Sequence, residues 1–109
     1  FLCDVIRFAR TIVPEPGVSR LVDQLVASTG SVGANRQEAA SASSRRAFVR
    51  FNEIALRSAN EATLWLRAFT ETGVGDPALA PALLDEARQL ARILGAIVVS
   101  AKRNVPAKS

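Results

Sequence analysis

The chain has 109 residues with a formal net charge of +4, and 49% of them are hydrophobic and 22% charged. This size and composition are typical of one soluble globular domain over residues 1–109, and they exclude a disordered chain. Histidine is absent and Cys3 is the only cysteine, which excludes a Cys/His zinc site, a histidine-activated nucleophile and an internal disulfide within one chain.

Proline and glycine divide the chain into helical stretches. Turns are predicted at Val13–Gly17 and at Gly73–Pro77, where Asp76 precedes proline as a helix cap, and Asn104–Pro106 ends the last element. The serines of segment 41–46 weaken helix without forbidding it, so the join between the second and third stretches stays open. Because the chain opens at Phe1 without methionine, we expect a short N-terminal piece to precede it.

Apolar and small residues recur at intervals of three and four in each stretch. They are Leu2, Val5, Ala9 and Ile12 in the first; Leu21, Leu25, Ser28, Val32, Asn35, Ala39 and Ala42 in the second; Phe48, Phe51, Ala55, Ala59, Ala62, Leu66 and Phe69 in the third; and Leu79, Leu83, Ala87, Leu90, Leu94, Ile97 and Ala101 in the fourth. This period is that of an amphipathic helix. The sequence therefore predicts an all-α protein, an up-down four-helix bundle.

The third helix carries more apolar surface than one core requires. Ile54 and Trp65 flank its apolar seam, and Leu64 falls on the opposite side among arginines. A helix that is apolar over most of its circumference is usually buried on two sides. We therefore predict a homo-oligomer, with Trp65, Ile54 and Leu64 as candidate interface residues.

Basic residues concentrate in two parts of the chain. Residues 31–60 hold five arginines against two glutamates, and residues 88–109 hold five basic residues and no acid. The candidate nucleic-acid-binding residues are Arg45, Arg46, Arg50, Arg57, Lys102 and Arg103, with Lys108 beyond them. The planar fork of arginine suits phosphate. The alternative is a solvated helix face on which Glu53 and Glu61, each four residues from Arg57, neutralise that arginine.

Other polar features predict structure rather than chemistry. Asn35 on the seam of the second helix is predicted to be a buried amide, and Glu38 a second structural polar residue. The Gly30–Gly33 segment has the GxxG spacing of a nucleic-acid-clamping loop, but small residues that let helices approach closely explain it better. The acids stand singly except for Asp85 and Glu86, whose side chains point about 100° apart on a helix. We therefore predict no catalytic residue, no metal, no cofactor and no enzymatic activity.

The stretch Gln24–Ala39, QLVASTGSVGANRQEA, resembles the QL..S..S(I/V).(A/S)N..E(A/G) signature of a bacterial four-helix bundle family. These are the 23S rRNA intervening-sequence proteins, which include the accessory variability determinants of diversity-generating retroelements. The resemblance continues through RRAF at 45–48 and IALRSANE at 54–61. Arg36 stands where the family usually has an aliphatic residue.

The resemblance implies a closed four-helix bundle that assembles as a ring-like homopentamer. Most members of the family have no established biochemical function, and basic surface on some members indicates nucleic-acid binding. Two hypotheses follow: a non-enzymatic oligomer that binds RNA or DNA through its arginines, and a structural or protein–protein adaptor with no nucleic-acid ligand. With one cysteine and no apolar run of roughly 18 residues, we predict a cytoplasmic location and no membrane partner.

Overall fold

The computed structural model describes residues 1–104, and these residues contain four helices. They are α1 (Leu2–Ala9), α2 (Val18–Ala40), α3 (Arg45–Thr72) and α4 (Leu79–Arg103). No strand occurs in these residues, which confirms the all-α prediction. The predicted stop at Val105 and Pro106, and the basic residue Lys108, lie outside the described residues.

Local side-chain chemistry sets the helix ends. Ser44 caps α3, because its Oγ accepts a hydrogen bond from the Ala47 amide at 3.1 Å, so the open join between α2 and α3 is a break. Gly73 ends α3 in the left-handed conformation, with φ of 70°. Asp76 Oδ1 accepts from the Ala78 amide at 2.8 Å, and α4 begins one residue after Ala78 rather than at the proline.

Each helix packs against its neighbours in the chain, and α4 also packs against α1. This is the arrangement of an up-down bundle, with α1 diagonal to α3 and α2 diagonal to α4. The molecule measures 51 by 20 by 18 Å. At 1.5 Å per residue, α1 is about 12 Å long whereas the other helices span about 35–42 Å. The bundle therefore has four helices at one end and three at the other.

The buried side chains form two clusters that reflect this difference. The larger cluster consists of Val5, Phe8, Leu25, Ala62, Leu66, Phe69, Ala80, Leu83, Leu84 and Ala87. The smaller cluster consists of Val32, Ala55, Ala59 and Leu94, with Leu56 and Ala91 packed against it. The smaller cluster contains no residue of α1. The seams predicted for α2, α3 and α4 supply most of both clusters.

The seam of α1 differs from the predicted one. Val5 and Phe8 are fully buried, and the Phe8 ring packs on Phe69 with 6.1 Å between the ring centroids. The apolar residues beside Cys3 in the sequence predict that it fills the core, but Cys3 is exposed and Leu2 is 37% exposed, so this prediction is wrong. With only two turns of helix, α1 presents one narrow face to its two neighbours, and the remaining residues face solvent.

The Gly30–Gly33 segment lies inside α2 and is not a loop. A side chain added at either glycine would meet no atom within 4 Å, so these glycines are not needed for close packing. The close approach of α2 and α3 occurs instead at Ser31, whose hydroxyl lies 2.7 Å from that of Ser58. Close helix approach therefore explains the small side chain of Ser31 but explains neither Gly30 nor Gly33.

Candidate nucleic-acid interface

Three of the predicted arginines share one face of α3. Arg46, Arg50 and Arg57 fall within about 40° of one another at 100° per residue, and all three are exposed. Leu64 lies on the same face and is 47% exposed. We call Arg46, Arg50 and Arg57 the α3 arginine stripe.

One of the two glutamates predicted to neutralise Arg57 has another partner. Glu53 Oε2 lies 3.1 Å from Lys102 Nζ, a salt bridge that joins α3 to α4. No salt bridge joins Arg46, Arg50 or Arg57 to a carboxylate within residues 1–104. The predicted pairing of Arg57 with its neighbouring glutamates is therefore not formed. Glu53 pairs with Lys102 instead, and such a surface salt bridge contributes about 0–1 kcal/mol to the free energy of unfolding.

This pairing separates the predicted basic residues into groups. The charge of Lys102 is offset by Glu53, so Lys102 adds little to a site for phosphate. Arg103 is exposed in the last turn of α4. Arg45 stands apart from the stripe, because it lines surface depressions together with Phe48. Of the predicted set, the structure brings together the three stripe arginines.

The buried amide of the bundle is Asn52, not Asn35. Asn52 is fully buried; its Nδ2 donates to the Phe48 carbonyl at 2.9 Å, and its Oδ1 accepts from Arg36 Nη1. Asn35 is only half-buried and donates to the Ser31 carbonyl oxygen at 2.9 Å. The prediction for Asn35 is right about its hydrogen bonding and wrong about its burial.

Arg36, and not Glu38, makes the structural polar contact of this part of α2. Glu38 is exposed, and its carboxylate makes no hydrogen bond or salt bridge within the described part of the chain, so the structural role predicted for Glu38 is not supported. Arg36 stands where the similar family usually has an aliphatic residue. Its Nη1 donates a hydrogen bond to the buried Oδ1 of Asn52. A signal for Asn52 exists in the sequence, since position 52 continues the four-three spacing between Phe48 and Ala55.

The three apolar residues predicted at an interface differ in exposure. Trp65 is half-buried and packs against the larger core cluster. Its indole nitrogen is buried and has no hydrogen-bond partner within residues 1–104. Ile54 is half-buried, and Leu64 is the exposed member of the set. Other large apolar side chains on the surface are Ile93, 56% exposed, and Val99, 54% exposed, both on α4.

Within residues 1–104, no group of three or more His, Cys, Asp and Glu side chains is placed to hold a metal ion. None of the helices α1 to α4 combines the length and the apolar character needed to cross a membrane. The site consists of cationic surface and exposed apolar side chains.

The chain is similar to proteins described as 23S rRNA-intervening sequence proteins, whose family model matches residues 1–96. No curated protein matches it. A solved structure that it resembles is a protein of unknown function from the S23 ribosomal protein family of Bacteroides thetaiotaomicron, at 1.70 Å resolution. The two chains are 26% identical with a TM-score of 0.80, and the match covers 90% of this chain and 91% of the other.

Proposed function

Since this chain belongs to the 23S rRNA-intervening sequence protein family, we propose that it is a non-enzymatic bundle protein that binds RNA or DNA through the α3 arginine stripe. The observation that carries the proposal is that Arg46, Arg50 and Arg57 are exposed on one helix face and have no carboxylate partner within residues 1–104. Guanidinium groups on one face, with no carboxylate in a salt bridge to them, are free to donate to phosphate oxygens through their planar forks.

The charge pattern of the fold supports this proposal. Glu53 forms its salt bridge with Lys102 on α4, and neither Glu53 nor Glu61 forms a salt bridge with a stripe arginine within residues 1–104. Phosphate binding of this kind releases counterions and therefore weakens steeply with salt. The competing adaptor function depends on apolar contacts, such as those that Ile93 and Val99 offer, and predicts little dependence on salt.

Replacing Arg46 and Arg50 together by glutamate is expected to remove most nucleic-acid binding. Two lost phosphate contacts lower the slope of log affinity against log salt by about two and reduce the affinity at low salt by about ten-fold or more. Fluorescence anisotropy with labelled RNA and DNA over a series of salt concentrations measures both quantities.

The matched control is Arg20→Glu with Arg88→Glu, which makes the same change of charge at two exposed arginines on α2 and α4. If the control loses as much affinity as the stripe variant, binding depends on net charge alone and the stripe is not a site. If the wild-type protein shows no binding that weakens with salt, the adaptor function is the better account.

We also propose that the chain assembles as a homo-oligomer, with the ring-like pentamer of the resemblance as the expected form. Leu64, 47% exposed beside the arginine stripe, is the interface candidate that the bundle leaves uncovered. Light scattering at micromolar concentration is expected to give a mass of several chains, and Leu64→Glu is expected to lower it. Val13→Glu is the control, because Val13 is 72% exposed in a turn. A monomeric wild-type protein would contradict this expectation.

The single cysteine predicts a location in a reducing cytoplasm. A single domain is predicted over residues 1–109.

A further inference from the structure

The outer surface of the bundle carries two further arginines beside the α3 arginine stripe. Arg92 and Arg103 lie on α4 and fall within about 20° of one another at 100° per residue. Both are exposed, and neither forms a salt bridge within residues 1–104. We call Arg92 and Arg103 the α4 arginine pair.

The salt bridge of Glu53 with Lys102 shows which side of α4 the pair occupies. Around α3, Glu53 lies between Leu56, which packs on the smaller core cluster, and the α3 arginine stripe. Around α4, Lys102 lies in the same way between the buried Leu94 and the α4 arginine pair. Since Glu53 Oε2 and Lys102 Nζ lie 3.1 Å apart, both sets of arginines stand on the outer side of this contact and flank one groove between α3 and α4.

The two sets have the same length along the bundle. Arg46 and Arg57, the ends of the stripe, are eleven residues apart, and so are Arg92 and Arg103. Eleven residues of α-helix rise about 16 Å. Consecutive phosphates of a duplex rise about 3.4 Å along each strand, so each set spans about five base pairs.

The two sets also lie at the same level, because α3 and α4 are consecutive helices of an up-down bundle and run antiparallel. Arg103 directly follows the lysine of the interhelical salt bridge, which holds it near the first half of the stripe. Arg92 precedes Leu94 by two residues. Leu94 belongs to the smaller core cluster together with Ala55 and Ala59 of α3. Arg92 therefore lies near the last arginine of the stripe.

The other half of the same two helices is acidic. Glu61 and Glu71 lie in the second half of α3, and Asp85 and Glu86 lie in the first half of α4. Glu61, Glu71 and Asp85 are exposed. A polyanion is attracted to the half with the arginines and repelled from the half with the carboxylates. This charge distribution directs such a ligand to the part of the groove between the stripe and the pair.

We propose that the α3 arginine stripe and the α4 arginine pair hold the two strands of a double-stranded nucleic acid, one set of arginines on each strand. Packed helices lie about 8–10 Å apart, and a duplex carries its two phosphate rows on either side of grooves about 6 and 12 Å wide. A single strand has one row of phosphates and occupies one set of arginines. The inference rests on the proposed function, names its class of ligand and assigns a role to Arg92.

The test replaces Arg92 and Arg103 together by glutamate. The probes are a short blunt DNA duplex, an RNA duplex of the same length and one labelled strand of each, and binding is followed by fluorescence anisotropy over a series of salt concentrations. Wild-type protein is expected to bind the duplexes more tightly than the strands. The variant is expected to bind the duplexes about ten-fold or more weakly, with a slope of log affinity against log salt that is lower by about two.

The matched control is Arg20→Glu with Arg88→Glu, which changes the net charge equally. Arg20 lies on α2, and Arg88 lies one turn before Arg92 in the acidic half of α4. The α4 variant is expected to bind single strands as the control does and to bind duplexes about five-fold or more weakly than the control. Arg92→Gln with Arg103→Gln removes the two charges without adding acids near the end of α4, and it is expected to weaken duplex binding in the same direction.

The outcomes separate this inference from the proposed function. Single strands that bind as tightly as both duplexes, or an α4 variant that binds duplexes as its control does, overturn the site that spans α3 and α4. If the variant of Arg46 and Arg50 still loses binding in that case, the proposed function stands. If one duplex alone binds more tightly than its strand, the inference holds for the nucleic acid with that sugar. A wild-type protein that binds none of the four probes overturns both.

Discussion

Replacing Leu66 by alanine is expected to lower the free energy of unfolding by about 2–5 kcal/mol. Leu66 is fully buried in the larger core cluster and lies in the C-terminal half of α3. Truncation of this side chain to alanine leaves a cavity, and the closely packed helices around it relax only partly to fill it. Because a domain of this size has a total stability of about 5–15 kcal/mol, the melting temperature is expected to fall by about 8 °C or more.

Thermal unfolding followed by circular dichroism measures this change. Leu79→Ala is the control, because Leu79 is 37% exposed in the first turn of α4 and loses much less buried surface. The control is expected to cost well under half as much as the core variant. Similar losses at the two positions would show that Leu66 does not lie in the tightly packed core.

Replacing Gly75 by alanine is expected to destabilise the protein for two reasons, backbone strain and overpacking. Comparison with the same substitution at Gly73 distinguishes the two. Gly75 has φ of 75°, a left-handed conformation that costs an L residue about 1–2 kcal/mol. A Cβ atom there would also lie 2.7 Å from Phe8 Cε1 and 2.9 Å from Ile12 Cγ1. Phe8 is fully buried against Phe69 and has no room to turn away, so overpacking adds about 1–3 kcal/mol.

Gly73→Ala is the matched control. Gly73 has φ of 70°, but a Cβ atom at this position would meet nothing within 4 Å. Chemical denaturation is expected to show a moderate loss for Gly73→Ala and a loss about 1–3 kcal/mol greater for Gly75→Ala. Equal losses would mean that the Phe8 ring moves aside, and that α1 is docked more loosely on the loop before α4 than its burial indicates.

Helical periodicity predicts much of the candidate interface. The spacing of Arg46, Arg50 and Arg57 puts them on one face of a helix in any register, and the structure keeps them together and exposed. The partner of Glu53 is not predictable in this way. Sequence spacing favours Arg57 at i,i+4, whereas the rotation of α3 against α4 brings Lys102 to 3.1 Å. Such a contact depends on interhelical register, which no local pattern contains.

Asn52 and Phe48 illustrate what a pattern of apolar residues overlooks. The apolar pattern selects Phe51 for the seam and overlooks its polar neighbour Asn52. The buried side-chain oxygen of Asn52 accepts a hydrogen bond from Arg36 on α2. The burial of such a side chain depends on whether a distant partner reaches it. Phe48 has an apolar seam position and yet stays half-buried.

Sequence alone is enough to predict the four helices, most of the turns between them, most of the seam that each helix buries, and the family to which the chain belongs. These properties depend on interactions between residues a few positions apart, such as the Ser44 cap and the glycine at the end of α3. Tertiary structure is needed to know the partner of Glu53, the burial of Asn52 and the half-burial of Phe48. Each of these depends on how far and at what rotation one helix lies along another, and that is set by the packing of the whole core.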